Sequence, residues 1–129
     1  MTFQLLDPEL VILIHDEVLN PGELQGLALN KSLEGALARV QNRLAFGMID
    51  DIYDLAANYA MAIAQGHCFN DANKRTAFRS LHVCLDLNGV PLPPVADEVL
   101  GDRIIALAQG QIDDGILADW LRGLAARNP

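Results

Sequence analysis

The chain has 129 residues, of which 51% are apolar, enough for one continuous core and too short to argue for two, so residues 1–129 are read as a single domain. A formal charge of −8 and a pI near 4.6 exclude a general electrostatic grip on nucleic acid or anionic lipid, both of which need a positive surface. Met1 to Leu6 has no basic leader pattern, the apolar run Leu10 to Ile14 is cut by His15-Asp16-Glu17, and Cys68 and Cys84 fit neither a disulfide scaffold nor a zinc site; a cytoplasmic protein with reduced thiols is expected.

Apolar residues recur at three-to-four spacing in nearly every segment, and alternating β-branched runs are absent, so the fold class is all-α with about six helices. The first helix opens at Asp7-Pro8, an aspartate cap followed by proline, and closes before Asn20-Pro21, with Leu10, Leu13 and Ile14 as its buried stripe. A second runs from Ser32 to Asn42 and places Leu33, Ala36, Leu37 and Val40 on one face. From Val40 to Met48 the apolar period weakens, which predicts a loop or short hairpin, a flap ahead of the central helix. Asp50 or Asp51 caps the third helix, Ile52 to about Gln65, with Leu55, Ala56, Tyr59, Ala60 and Ile63 inward and Gly66 as its stop. A fourth extends from about Ala72 to Asn88-Gly89, with Ala77, Leu81, Cys84 and Leu85 at core spacing, and Pro91, Pro93 and Pro94 stiffen the next connection. Helices over Val95 to Gln109 and Asp114 to Arg127 complete the set.

Between the third and fourth helices lies the densest chemistry in the chain, His67-Cys68-Phe69-Asn70-Asp71-Ala72-Asn73-Lys74-Arg75-Thr76. A helix that starts near Asp71 or Ala72 turns its unpaired N–H groups and positive dipole end toward the loop holding His67, where an anion is stabilised. Lys74 and Arg75 in that first turn oppose the dipole at a cost of roughly 0.3–1 kcal/mol each when exposed, a cost that a bound phosphate removes. Asp71 suits either of two roles, an N-cap or a carboxylate that holds magnesium together with a substrate phosphate. His67 has the chemistry to accept a proton from an attacking hydroxyl, and Phe69 is expected to plug the loop into the core. Asp50, Asp51 and Asp54 are explained by capping, His15 beside acidic residues is expected to be solvated, and His82 is expected to be partly buried and structural. No Walker phosphate loop, nucleophile elbow or His-Glu-x-x-His motif occurs.

The stretch His67 to Arg75 resembles the Fic/Doc superfamily signature, His-x-Phe-x-Asp/Glu-Gly/Ala-Asn-x-Arg, and the Asn73-Lys74-Arg75-Thr76-Ala77 continuation resembles its Doc (death-on-curing) branch, where lysine replaces the usual glycine. The resemblance covers most of Leu5 to Leu121. It implies a Fic-type helical fold in which His67 is the general base, Asp71 helps hold Mg2+, and Asn73, Lys74 and Arg75 bind the phosphates of ATP. Typical Fic enzymes transfer AMP. The bulk of Lys74 implies an inverted nucleotide that presents its γ-phosphate, as in Doc kinases, whose target is a threonine of elongation factor Tu and whose antitoxin is Phd. On this reading the chain is a toxin of a toxin-antitoxin pair that stops translation, and Val40 to Met48 is its target-docking flap.

Three departures from the superfamily pattern bear on this. The further arginine that Fic enzymes carry three residues after the motif arginine is Phe78 here, with Arg79 one place later, which disfavours pairing of AMP-type phosphates. Cys68 replaces a proline or aliphatic residue. The inhibitory pattern Ser/Thr-x-x-x-Glu-Gly/Asn is not met by Glu34-Gly35, preceded at that spacing by Asn30, so inhibition by a separate antitoxin is expected. AMP transfer and a non-catalytic phosphate-recognising module stand as the alternatives.

Overall fold

The structure is a computed structural model that describes residues 2–127; of the expected 1–129 domain, Met1, Asn128 and Pro129 lie outside the described residues. Six helices follow in order: α1 (Pro8–Val18), α2 (Leu33–Ala45), α3 (Ile52–Gly66), α4 (Asn73–Leu87), α5 (Asp97–Ala108) and α6 (Asp114–Arg127). The chain is all-α as expected. Its one β feature among the described residues is an isolated antiparallel bridge between Leu27 and Phe69. Among the described residues no helix is long and apolar enough to cross a membrane.

The third helix is the hub, packing against α2, α4, α5 and α6. Its Leu55, Ala56, Ala57, Tyr59, Ala60 and Ile63 are fully buried, and the alanines let neighbouring helices approach closely. Asp51 caps it by accepting the Asp54 amide at 2.9 Å. Arg122 of α6 then binds Asp51 at 2.8 Å and Asp54 at 3.2 Å, pinning the last helix to the N-terminus of the central one. The buried Tyr59 hydroxyl accepts the Leu6 amide at 3.1 Å, and burial pushes its pKa up.

One boundary and one face differ from the sequence reading. The second helix does not give way at Asn42 but continues to Ala45, because Leu44 falls four residues after buried Val40 and extends the same stripe; Gly47, at φ 75°, makes the turn that follows. Most of the expected Val40 to Met48 loop is therefore helical. In α1 the buried positions are Val11, Ile14 and His15, while Leu13 is 61% exposed. His15, expected in solvent, has no exposed surface at all. Helix α1 packs against both α2 and α4, which turns the 11, 14, 15 edge inward and leaves Leu13 outside.

Candidate active site

The third helix ends by an abrupt reversal. Gly66 is its last residue, not the residue beyond its end, and the left-handed position that glycine usually fills belongs to His67, at φ 49°. A β-carbon on Gly66 would stand 3.0 Å from the Cys68 sulfur, so a larger residue there would press the Cys68 side chain aside. Ala72, at the far end of the loop, is left-handed too, at φ 65°. Two non-glycine residues in this region carry a strain of about 1–3 kcal/mol each, which the surrounding contacts must offset.

Those contacts come from both sides. The Ala28 amide donates to the Cys68 carbonyl at 2.8 Å, and the Asn70 amide to the Gly26 carbonyl at 3.2 Å, so the α1–α2 connection runs beside the loop like a short partner strand. Asn73 closes the loop from within: its Oδ1 accepts the Phe69 amide at 3.1 Å and its Nδ2 donates to the Phe69 carbonyl at 3.0 Å. The Phe69 ring is buried, as expected of a plug, and stacks on His15 with centroids 3.9 Å apart and planes 8° from parallel.

Asp71 is not the cap of α4. Its Oδ2 accepts the Leu24 amide at 2.8 Å, and the capping position is Ala72, which offers no side-chain acceptor. The first intrahelical bond is from the Thr76 amide to the Ala72 carbonyl, at 2.9 Å. The amides of Asn73, Lys74 and Arg75 consequently have no acceptor among the described residues. An uncapped helix N-terminus of this kind offers donors that an anion can satisfy by backbone alone.

Around that terminus lies a cavity of about 560 Å³. His67, Asp71, Asn73, Lys74 and Arg75, the five residues singled out from sequence, all line it, together with Glu23, Ala64, Asn70, Ala72, Ala108 and Gln109. Their side chains are not equally available. Asn73 is turned back onto the loop. Arg75 donates to the Val18 carbonyl at 2.6 Å and is ion-paired with Glu23, whose carboxyl is held below its usual range first by that bond and then by the Asn20 amide. The same pair holds Arg75 in its cationic form. His67 and Lys74 are exposed, and neither side chain has a partner among the described residues. Arg79 does not reach the cavity; it donates to His82 Nδ1 at 3.4 Å, and His82, half-buried, lies 3.7 Å from Asp86.

Sequence reasoning missed Glu23, which sits in a connection without periodicity and carries no local signal. It also misplaced His15, although Val11, Ile14, His15 and Val18 follow a helical stripe.

A family model described as the Fic/DOC family matches residues 5–85. Among curated proteins, the protein kinase doc of Escherichia phage P1 is 39% identical over 120 residues, which span 92% of this chain and 94% of that protein.

Proposed function

The chain belongs to the Fic/DOC family, and within it we propose a Mg-ATP-dependent kinase that phosphorylates a serine or threonine hydroxyl on a protein, acting as the toxin of a toxin-antitoxin pair. The observation that carries the reading is the start of α4: three backbone amides without acceptors and an unpartnered Lys74, in one cavity with His67 and Asp71. Phosphoryl transfer asks mainly for positioning and charge neutralisation, and this arrangement supplies both. The likeness to a protein named as a kinase, and the lysine where AMP-transferring relatives have glycine, favour the γ-phosphate as the group transferred.

In the proposed reaction the target hydroxyl oxygen bonds to the γ-phosphorus, the bridging P–O bond breaks to release ADP, and the hydroxyl proton passes to His67. The amides of Asn73, Lys74 and Arg75 and the Lys74 ammonium hold the phosphates. Asn73 keeps the loop closed, while Arg75, fixed by Glu23 and Val18, lines the phosphate site as a cation compensated by the Glu23 carboxylate. Among the described residues no cluster of three or more acidic, His or Cys side chains could hold a metal unaided. Asp71, with one carboxylate oxygen on the Leu24 amide and the other without a partner among the described residues, fits a magnesium ion that arrives with the nucleotide and takes its remaining ligands from phosphate and water. Bound there, magnesium would neutralise charge on the β- and γ-phosphates.

One core cluster spans from Leu6 to Leu121, which supports reading residues 1–129 as one Fic/Doc domain. Elongation factor Tu as target, a Phd-like antitoxin as partner and a cytoplasmic location complete the proposal. The test is expression of wild type and His67→Ala in growing cells, with phosphosite mapping of elongation factor Tu. Growth arrest and a phosphothreonine with wild type alone are expected. Equal arrest by both proteins would assign the effect to binding without catalysis, and an adenylylated residue would assign AMP transfer.

A further inference from the structure

His15 is an unusual core residue. Its ring is wholly buried, its Nδ1 has no hydrogen-bond partner, and the nearest charge, Asp16 Oδ1, lies 3.6 Å away. Burying a polar atom unsatisfied costs free energy, and an aliphatic residue on this stripe would avoid it. What the imidazole provides instead is directional. Nε2 lies 2.8 Å from the Asp71 carbonyl, and because a carbonyl can only accept, Nε2 carries the proton. The flat of the ring meanwhile supports Phe69, two residues earlier in the same loop.

We infer that His15 is a positioning residue for the reaction: its Nε2–H fixes the Asp71 peptide and so aims the Asp71 carboxylate and the left-handed Ala72 that opens α4. The bond is on the main chain of the very residue whose carboxylate is held by the Leu24 amide, so Asp71 is restrained at two points by two segments, α1 and the α1–α2 connection. Without the His15 donor, the carbonyl joining Asp71 to strained Ala72 has no partner among the described residues, and the loop can relax away from φ 65°. The inference rests on reading Asp71 as the residue that holds the cation. The role is indirect, since His15 lies outside the cavity lining and acts only through Asp71 and Phe69.

The test compares His15→Gln, whose amide nitrogen can reach the Asp71 carbonyl, with His15→Asn, which offers the same group on a shorter arm, and with His15→Phe, which keeps the stack but not the donor. Binding of Mn2+ in the presence of a non-hydrolysable ATP analogue is measured by electron paramagnetic resonance, and exchange of the Leu24 amide by NMR, each on folded protein verified by thermal unfolding. His15→Asn and His15→Phe should lose about 10-fold or more in Mn2+ affinity and lose protection at Leu24, while His15→Gln restores most of both. Equal behaviour of the Gln and Asn variants, or wild-type values in all three, would overturn the inference. Asp71→Asn serves as the control for the underlying reading. If it binds Mn2+ as wild type does, the cation role of Asp71 fails, and the Leu24 exchange alone decides the tether: protection lost in His15→Asn and kept in His15→Gln upholds it, protection kept in both refutes it.

Discussion

Glu23 of the α1–α2 connection is ion-paired with Arg75 of α4, so one of the two motif cations is neutralised by a carboxylate from another segment while its neighbour Lys74 is not. Among the described residues, the cavity thus presents one free side-chain cation, Lys74, and one compensated cation, Arg75, beside three open amides. This division gives Arg75 and Lys74 different tasks.

Glu23→Gln keeps an acceptor for Arg75 and removes the opposing charge. The expected result is a fall in KM for ATP by roughly twofold to fivefold at low salt, shrinking as ionic strength rises. The pair also sets a pH dependence. Because the Glu23 carboxyl is held below its usual range, its stabilising share is present above the ordinary carboxylate pKa and is lost as pH falls through the lowered value. Thermal unfolding of wild type and Glu23→Gln should differ at about pH 7, and the difference should shrink as pH falls below the ordinary carboxylate range through the lowered Glu23 value.

On the proposed reading, Lys74 carries the choice of transferred group. Replacing it with glycine opens space beside the α4 amides, and Lys74→Gly is expected to shift the product from phosphorylated to adenylylated target. Mass spectrometry of the modified protein reads this directly. An unchanged product would remove the steric role assigned to the lysine.

Ala72 bears a left-handed backbone that glycine adopts without penalty. Ala72→Gly is expected to raise stability by about 1 kcal/mol. For a domain of this size the corresponding rise in Tm is about 2–8 °C. Calorimetry checks it, and a lower Tm would show that unfolded-chain entropy outweighs the relieved strain.

Cys68 and Cys84 are buried, and burial raises both thiols, Cys84 to about 12. Neither should react with iodoacetamide in the native protein at about pH 8, and both should react once it is unfolded. Intact mass before and after denaturation measures this. Although Cys68 adjoins the proposed base, it is expected to take no part in the chemistry.

The helices and the cavity-lining motif were legible because both are local. Periodic apolar positions fix Leu33, Ala36, Leu37 and Val40 or Ala77, Leu81, Cys84 and Leu85 on a buried face whatever they pack against. Asp71, Lys74 and Arg75 stand at a helix start that sequence alone places. What escaped depends on segments far apart in the chain. Asp71 lost its capping role to a bond from Leu24, 47 residues earlier, and Arg75 gained a counter-ion from Glu23, 52 residues earlier. His15 reads as solvated beside Asp16 and Glu17 until α4 and Phe69 are packed against it. Most of the expected Val40 to Met48 loop is helical for a local reason, since Gln41 and Asn42 are exposed and Arg43 half-buried on a helix whose inner stripe runs on to Leu44.

Phosphate transfer itself is tested most directly by following which phosphorus of ATP reaches the protein. Purified chain, elongation factor Tu and magnesium are incubated in parallel with γ-labelled and α-labelled ATP, with His67→Ala as the blank. Label on the target from the γ position alone, absent with His67→Ala, is the expected result; label from the α position would contradict the kinase reading.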